Sequence, residues 1–248
     1  MRSKKWTKIV ALFLAVIGMA ACLASCGKNG SSGKVPKEFQ GRLMEQYMKL
    51  ICSNNYTFES SPVKGGKSST NIFYAKNKAG NEMVTFQVKS GKQSVPASIM
   101  YVVDEKNKDS GQYYVVFSSE GIYAPVPPND QKAVDSYASA LEKLSMDYLM
   151  SDSFVGSGKV QYQGQTYSYE DYANASRGVR NRFLFDADDN LKMMGKVDAS
   201  GKVSGLAVIS IYETNDTTFS DVYNYRAVDY YTIFPGDAKT SKTASPLQ

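Results

Sequence analysis

The 248-residue chain contains no histidine. That absence removes the commonest general base at neutral pH, the Ser-His-Asp and Cys-His nucleophile systems, and every His-ligated metal site. Remaining chemistry must come from carboxylates, lysines, tyrosines and three cysteines. Carboxylates crowd most tightly in FDADDNLK, where Asp186, Asp188 and Asp189 could begin a calcium loop. Such a loop needs Gly at its sixth position and Glu at its twelfth. Counted from Asp186, those positions hold Leu191 and Val197. The stretch reads instead as a polar hairpin turn, which Asp and Asn suit.

Three further motifs fail on spacing. SPVK, Ser61 to Lys64, matches the S-x-x-K of a lysine-activated serine, which needs S-D-N and K-T-G companions. SDS at Ser151–Ser153 and KTS at Lys239–Ser241 are only near misses. GGKSS, Gly65 to Ser69, contains G-K-S, but Ser61 stands where a phosphate loop needs its first glycine. GSGK, Gly156 to Lys159, is followed by Val160 rather than Ser or Thr. No carboxylate pair stands out as an acid–base couple. The expectation is a protein that is not an enzyme, with no cofactor and no metal.

Tyrosine is the residue type in excess, at 18, while the single tryptophan is Trp6. Two clusters are conspicuous: Tyr162, Tyr167, Tyr169 and Tyr172, and Tyr223, Tyr225, Tyr230 and Tyr231. Tyrosine fits a half-buried sheet surface and also suits exposed binding faces, since its ring supplies area and its hydroxyl a hydrogen bond. Met44, Met48, Met146 and Met150 read as core filling, with the adaptability of a ligand cleft as the alternative.

One cysteine sits where composition changes. Arg2, Lys4, Lys5 and Lys8 precede an uncharged run, Ile9 to Ala21, and Leu23-Ala24-Ser25-Cys26 then gives way to GKNGSSGK. Basic cluster and short apolar run are the pattern of an export signal, too short for a spanning helix. Leu23-Ala24-Ser25-Cys26 resembles a bacterial lipobox. The resemblance implies removal of residues 1–25 and a diacylglycerol thioether on Cys26. Cys22 is a poorer match because Met19 occupies its −3 position. Two acyl chains hold a protein at a membrane where one is marginal. Without residues 1–25 the chain has 25 basic and 24 acidic residues, so it carries no electrostatic footprint for nucleic acid. With Cys26 acylated, Cys52 has no disulfide partner.

Residues 26–36 form a Gly/Ser/Lys tether of flexible composition. Helical spacing runs over 37–53, with Phe39, Leu43, Tyr47 and Leu50 on one face. The period then becomes two, with a turn at Asn77–Gly80 and another in EKNKDSG, residues 105–111. Asn129 or Asp130 caps a second expected helix, 131–150, whose face carries Val134, Tyr137, Ala138, Leu141, Leu144 and Tyr148. Strands resume from Phe154, turn at Gln163–Gly164, Asp188–Asn190 and Ala199–Gly201, and end in VYNYRAVDYYTIF, expected to close the sheet. Helices and strands in groups predict α+β.

VQYQGQTYSYEDY followed by RFLFDADDNLKMM looks like segments of exported lipoproteins with a LolA/LppX-like fold, over about residues 37–235. The resemblance implies a curved, half-barrel-like antiparallel sheet with two principal helices covering one face. It also implies an apolar cleft for acyl chains. The expected organisation is signal 1–25, tether 26–36, one domain 37–235 and a polar tail 236–248. The expected role is an extracytoplasmic lipoprotein, anchored through Cys26, that holds an apolar ligand in a sheet–helix cleft. The alternative is an envelope module that meets a protein or glycan through a tyrosine-rich face. An open apolar cavity would favour the first, and a filled core with exposed tyrosines the second.

Overall fold

The computed structural model describes residues 33–63, 71–90, 93–107, 110–175, 178–215, 217–220 and 224–234. The expected signal 1–25 with Cys22, the expected tether as far as Ser32 with Cys26, Lys64, GGKSS at 65–69, Tyr223, and residues 236–248 with KTS lie outside the described residues.

In chain order the regular elements are α1 (Glu45–Cys52), β1 (Tyr56–Pro62), β2 (Ile72–Lys76), β3 (Glu82–Ser90), β4 (Gln93–Val103), β5 (Gly111–Phe117), β6 (Ile122–Pro125), α2 (Gln131–Leu144), β7 (Ser153–Tyr162), β8 (Gln165–Asn174), β9 (Val179–Phe185), β10 (Leu191–Val197), β11 (Val203–Tyr212), α3 (Thr217–Ser220), β12 (Arg226–Ala227) and α4 (Tyr230–Ile233). Short 3-10 turns lie at Lys37–Phe39, Ser118–Glu120 and Asp147–Ser151. The class is α+β, as expected; within the two units described below the strands pair antiparallel, except β12 with β6, which is parallel. The described chain divides into two compact units built from alternating segments.

The first unit comprises 33–78 and 145–215. Its strands run β2-β1-β11-β10-β9-β8-β7. Register breaks between Leu191 and Met193, Met194 and Lys196, and Phe154 and Gly156 bend these strands locally. One face carries α1. Met44, Met48 and Ile51 are wholly buried there, and Phe183 and Phe185 are wholly buried as well. Methionine at Met44, Met48 and Met146 is therefore core, while Met150 is half-buried. Cys52, buried in α1, has its thiol pushed up by burial and then by Asp147.

The sequence predicts one helix over 37–53, and the structure breaks it. A 3-10 turn ends at Phe39, and Gly41 adopts φ +71°, a left-handed conformation that glycine takes without strain. Glu45 then accepts the Gly41 N–H at 2.7 Å, and α1 starts afresh.

The second unit comprises 79–144 and 217–234 within the described residues. Its strands run β12-β6-β5-β4-β3. Val84, Ile99, Val115 and Ala124 stand side by side in the ladder, all wholly buried, and α2 packs against β3. Asp130 accepts the Ala133 N–H at 3.1 Å, which is the expected cap of α2. That helix ends at Leu144 rather than continuing to 150. The last predicted strand is corrected too. Among its described residues only Arg226–Ala227 form a strand, paired parallel to β6, and Asp229 caps the helical turn α4 through the Thr232 N–H.

Candidate functional site

The first unit places chemically distinct groups on the two faces of β7–β11. Consecutive residues of a strand point to opposite faces, and Glu170 and Asp171 on β8 exploit this. Both are carboxylates, 5% and 0% exposed.

Glu170 points to the α1 side. It accepts the backbone N–H of Leu43 at 2.9 Å and of Met44 at 3.1 Å, and the Tyr172 hydroxyl at 2.8 Å. A carboxylate from a strand more than a hundred residues away thus holds the backbone N–H groups of the two residues that lead into α1, close to the positive end of its dipole. Phe39 stacks on Tyr172 at 4.3 Å, and Phe154 and Phe183 meet its edges. Burial, then the bond to Glu170, pushes the Tyr172 hydroxyl far up.

Asp171 points to the other face. It takes a bidentate pair from Arg182, both bonds 2.8 Å, and also bonds Arg180. The Arg182 guanidinium lies over the Tyr169 ring, 3.8 Å from its centroid. Its bond to Asp171 outweighs burial and raises the Arg182 pKa. Beside this network is an apolar cluster: Val63, Leu184 and Met193 are buried beneath half-exposed Val160, Tyr162, Tyr167 and Leu206. Val208, directly across from Met193, is 45% exposed. Tyr212, four residues on along the same strand, is 42% exposed and donates to Glu59 at 2.7 Å.

The four tyrosines of the β7–β8 hairpin are therefore not one surface. Tyr172 is core, whereas Tyr162, Tyr167 and Tyr169 belong to the open face. In the second unit Tyr230 is buried, its hydroxyl 3.0 Å from that of Tyr137, while Tyr225 and Tyr231 are half-buried.

The catalytic-looking motifs that fall among the described residues dissolve into local structure. Asp186 is saturated by its own turn: it accepts the N–H of Asp188 at 3.0 Å and of Asn190 at 2.9 Å, and pairs with Lys192 at 3.0 Å. The Asn190 N–H is the main cause of its lowered pKa. Asp198 repeats the device with Ser200 and Lys202. Ser61 and Pro62 end β1, Ser151 is held by Asn174 at 2.9 Å, Asp152 is buried, and Ser153 begins β7. Gly156–Lys159 lie inside β7, where no helix follows to cradle a phosphate. Among the described residues no three of Cys, Asp and Glu converge as metal ligands. No helix among them is long and apolar enough to cross a membrane.

Sequence reasoning missed Glu170, Asp171, Arg180 and Arg182. The available signal was two adjacent carboxylates in an otherwise tyrosine-rich stretch, followed by arginines at the alternate positions 180 and 182.

An open depression of about 350 Å³ lies at the end of the β4–β5 hairpin in the second unit, lined by Val102, Asp104, Ser110, Gln112 and Tyr114 among others. With Asp104, Ser110 and Gln112 in its wall it is not an enclosed apolar site.

No protein-family model matches the sequence, and no curated protein matches it. Among solved structures the chain is similar to a DUF1329 family protein from Desulfovibrio piger, with TM-score 0.33 and 12% identity over 74% of this chain and 95% of that one.

Proposed function

We propose that this chain is an extracytoplasmic lipoprotein, held at a membrane through lipid on Cys26, that binds a partner through a surface and does no catalysis. The observation that carries this reading is the contrast between the faces of the first unit's sheet. The α1 side is filled, with Met44, Met48 and Ile51 wholly buried. The other side presents Tyr162, Tyr167 and Val208 around a small apolar cluster. Apolar patches rimmed by polar groups commonly mark contact sites. The basic leader, the apolar run and Leu23-Ala24-Ser25-Cys26 support the anchor.

A photo-crosslinking residue at Val208 tests the surface in cells. We expect one dominant adduct from Val208 and none from Lys132, exposed on α2. Equal adducts from both positions refute the surface. For the anchor, radiolabelled palmitate should mark the native protein and not Cys26→Ala; label retained in that variant refutes Cys26.

The apolar-carrier reading rests on Met44 and Met48, whose flexible side chains could exchange their contacts for an acyl chain. It requires α1 to lift from the sheet. Native mass spectrometry of protein purified from membranes decides it: a bound lipid besides the anchor favours the carrier, and its absence even with added lipid ends it.

A further inference from the structure

The edges of the strand order are unequal. In the second unit the outermost strand, β12, has two residues and offers little to pair with. In the first unit the outermost strand beside β8 is β7, with ten residues. A long strand with an unpaired side presents a row of N–H and C=O groups, a ready template for another strand. Proteins usually blunt such edges with proline, bulges or charges. β7 has no proline, and its only charge is Lys159. Its bulge lies at its start, between Phe154 and Gly156. That start is also the part the chain covers itself. The Phe154 N–H goes to Glu38 at 3.2 Å, and the Arg42 guanidinium lies 3.2 Å from the Phe154 ring centroid. From Val155 to Tyr162 no further backbone bond on the outer side exists among the described residues.

We propose that the outer edge of β7, residues 155–162, docks an extended strand of a partner protein. That strand alternates apolar and polar side chains and carries a carboxylate opposite Lys159. The alternation follows from the two faces that the added strand would continue. On the open face its side chains meet Val160 and Tyr162, which already pack on Leu184 and Met193. On the other face they meet Ser157, Lys159 and Gln161, all exposed. Lys159 has no acidic partner among the described residues, and β7 has no carboxylate to offer a second copy of itself. Charge therefore favours an acidic strand over self-pairing. The affinity comes from the backbone bonds and the choice of partner from the alternate side chains. This inference rests on the surface-binding reading above and specifies its partner class.

Hydrogen exchange read by mass spectrometry tests it on the mature lipidated protein in detergent, with the synthetic peptide TVEVTYTV as probe. In the free protein, amides of 155–162 should exchange about tenfold faster than those of β8, which pair on both sides. Saturating peptide should slow 155–162 by about tenfold and leave 226–227 unchanged. Lys159→Glu should weaken binding about threefold, and the peptide with its Glu replaced by Lys should recover that loss. Lys159 is exposed, and near-ultraviolet circular dichroism of the variant confirms an intact fold. Three results overturn the proposal: protection of 155–162 without peptide, which means that the chain covers its own edge; protection that grows with protein concentration, which means a second copy; or no peptide-dependent protection. Each leaves the Val208 adduct and the Cys26 label as they were, so the broader reading stands or falls separately.

Discussion

Glu170 and Asp171 are neighbours in sequence and equally buried, yet they serve opposite faces of one sheet. Glu170 spends its charge on two backbone N–H groups and a tyrosine hydroxyl, and so fixes where α1 begins. Asp171 spends its charge on two arginines and so keeps guanidinium groups on the open face. The first arrangement closes a core. The second holds cationic and aromatic groups at a surface that is only half covered. A buried carboxylate is thus not one kind of object: its partners decide whether it builds the interior or holds charged groups on an open face.

The comparison breaks most sharply at Asp171. Asp171→Ala leaves Arg182 buried without its counter-charge and should cost about 3–5 kcal/mol in denaturant unfolding. Replacing both partners, Asp171→Leu with Arg182→Met, should recover most of that loss, because an apolar pair avoids desolvating two charges. If the double variant is as unstable as Asp171→Ala, the network stabilises the sheet beyond charge balance. Glu170→Gln weakens charge-assisted bonds but keeps an acceptor, and should cost about 1.5–3 kcal/mol. Its loss should appear first as faster amide exchange at Leu43 and Met44.

Alkaline titration separates the faces more gently. Tyr172 on the α1 side and Tyr212 on the open face are both held neutral beyond a free tyrosine. Tyr212 is raised to about 12 by desolvation and then by Glu59. The unfolded chain loses these protons near pH ~10. Their contribution is therefore complete below pH ~10 and is lost as pH rises through the folded values. Tyr212→Phe should remove a tyrosinate absorbance step near pH 12 and leave the later Tyr172 ionisation in place. The smallest effect is expected at Val208: Val208→Thr should change stability by less than about 0.5 kcal/mol, since the side chain is largely exposed. Crosslinks from neighbouring Tyr212 should nonetheless fall in that variant if the patch binds.

Much of the fold was legible locally. The Asp186 and Asp198 turns, the Gln163–Gly164 hairpin and the Asp130 cap are short-range devices, each written within a few residues. The break in the first helix was not legible. Its apolar spacing continues through Gly41, and the groups that reward a new start at Glu45 include Glu170, far along the chain. The last segment, VYNYRAVDYYTIF, has strand composition, yet Asp229 caps a helical turn there.

The sequence by itself determined the absence of histidine chemistry, the α+β grouping of helices and strands and the failure of each catalytic motif, because composition and spacing suffice for those. It also set out the leader and Cys26, the basis of the proposed anchor. Only the tertiary structure decided which tyrosines are core and which are surface. A strand's period says that neighbours diverge, but not which side a helix will cover. Only the strand order made β7 an edge, because pairing partners are chosen by contacts across the whole unit and not by the ten residues of the strand.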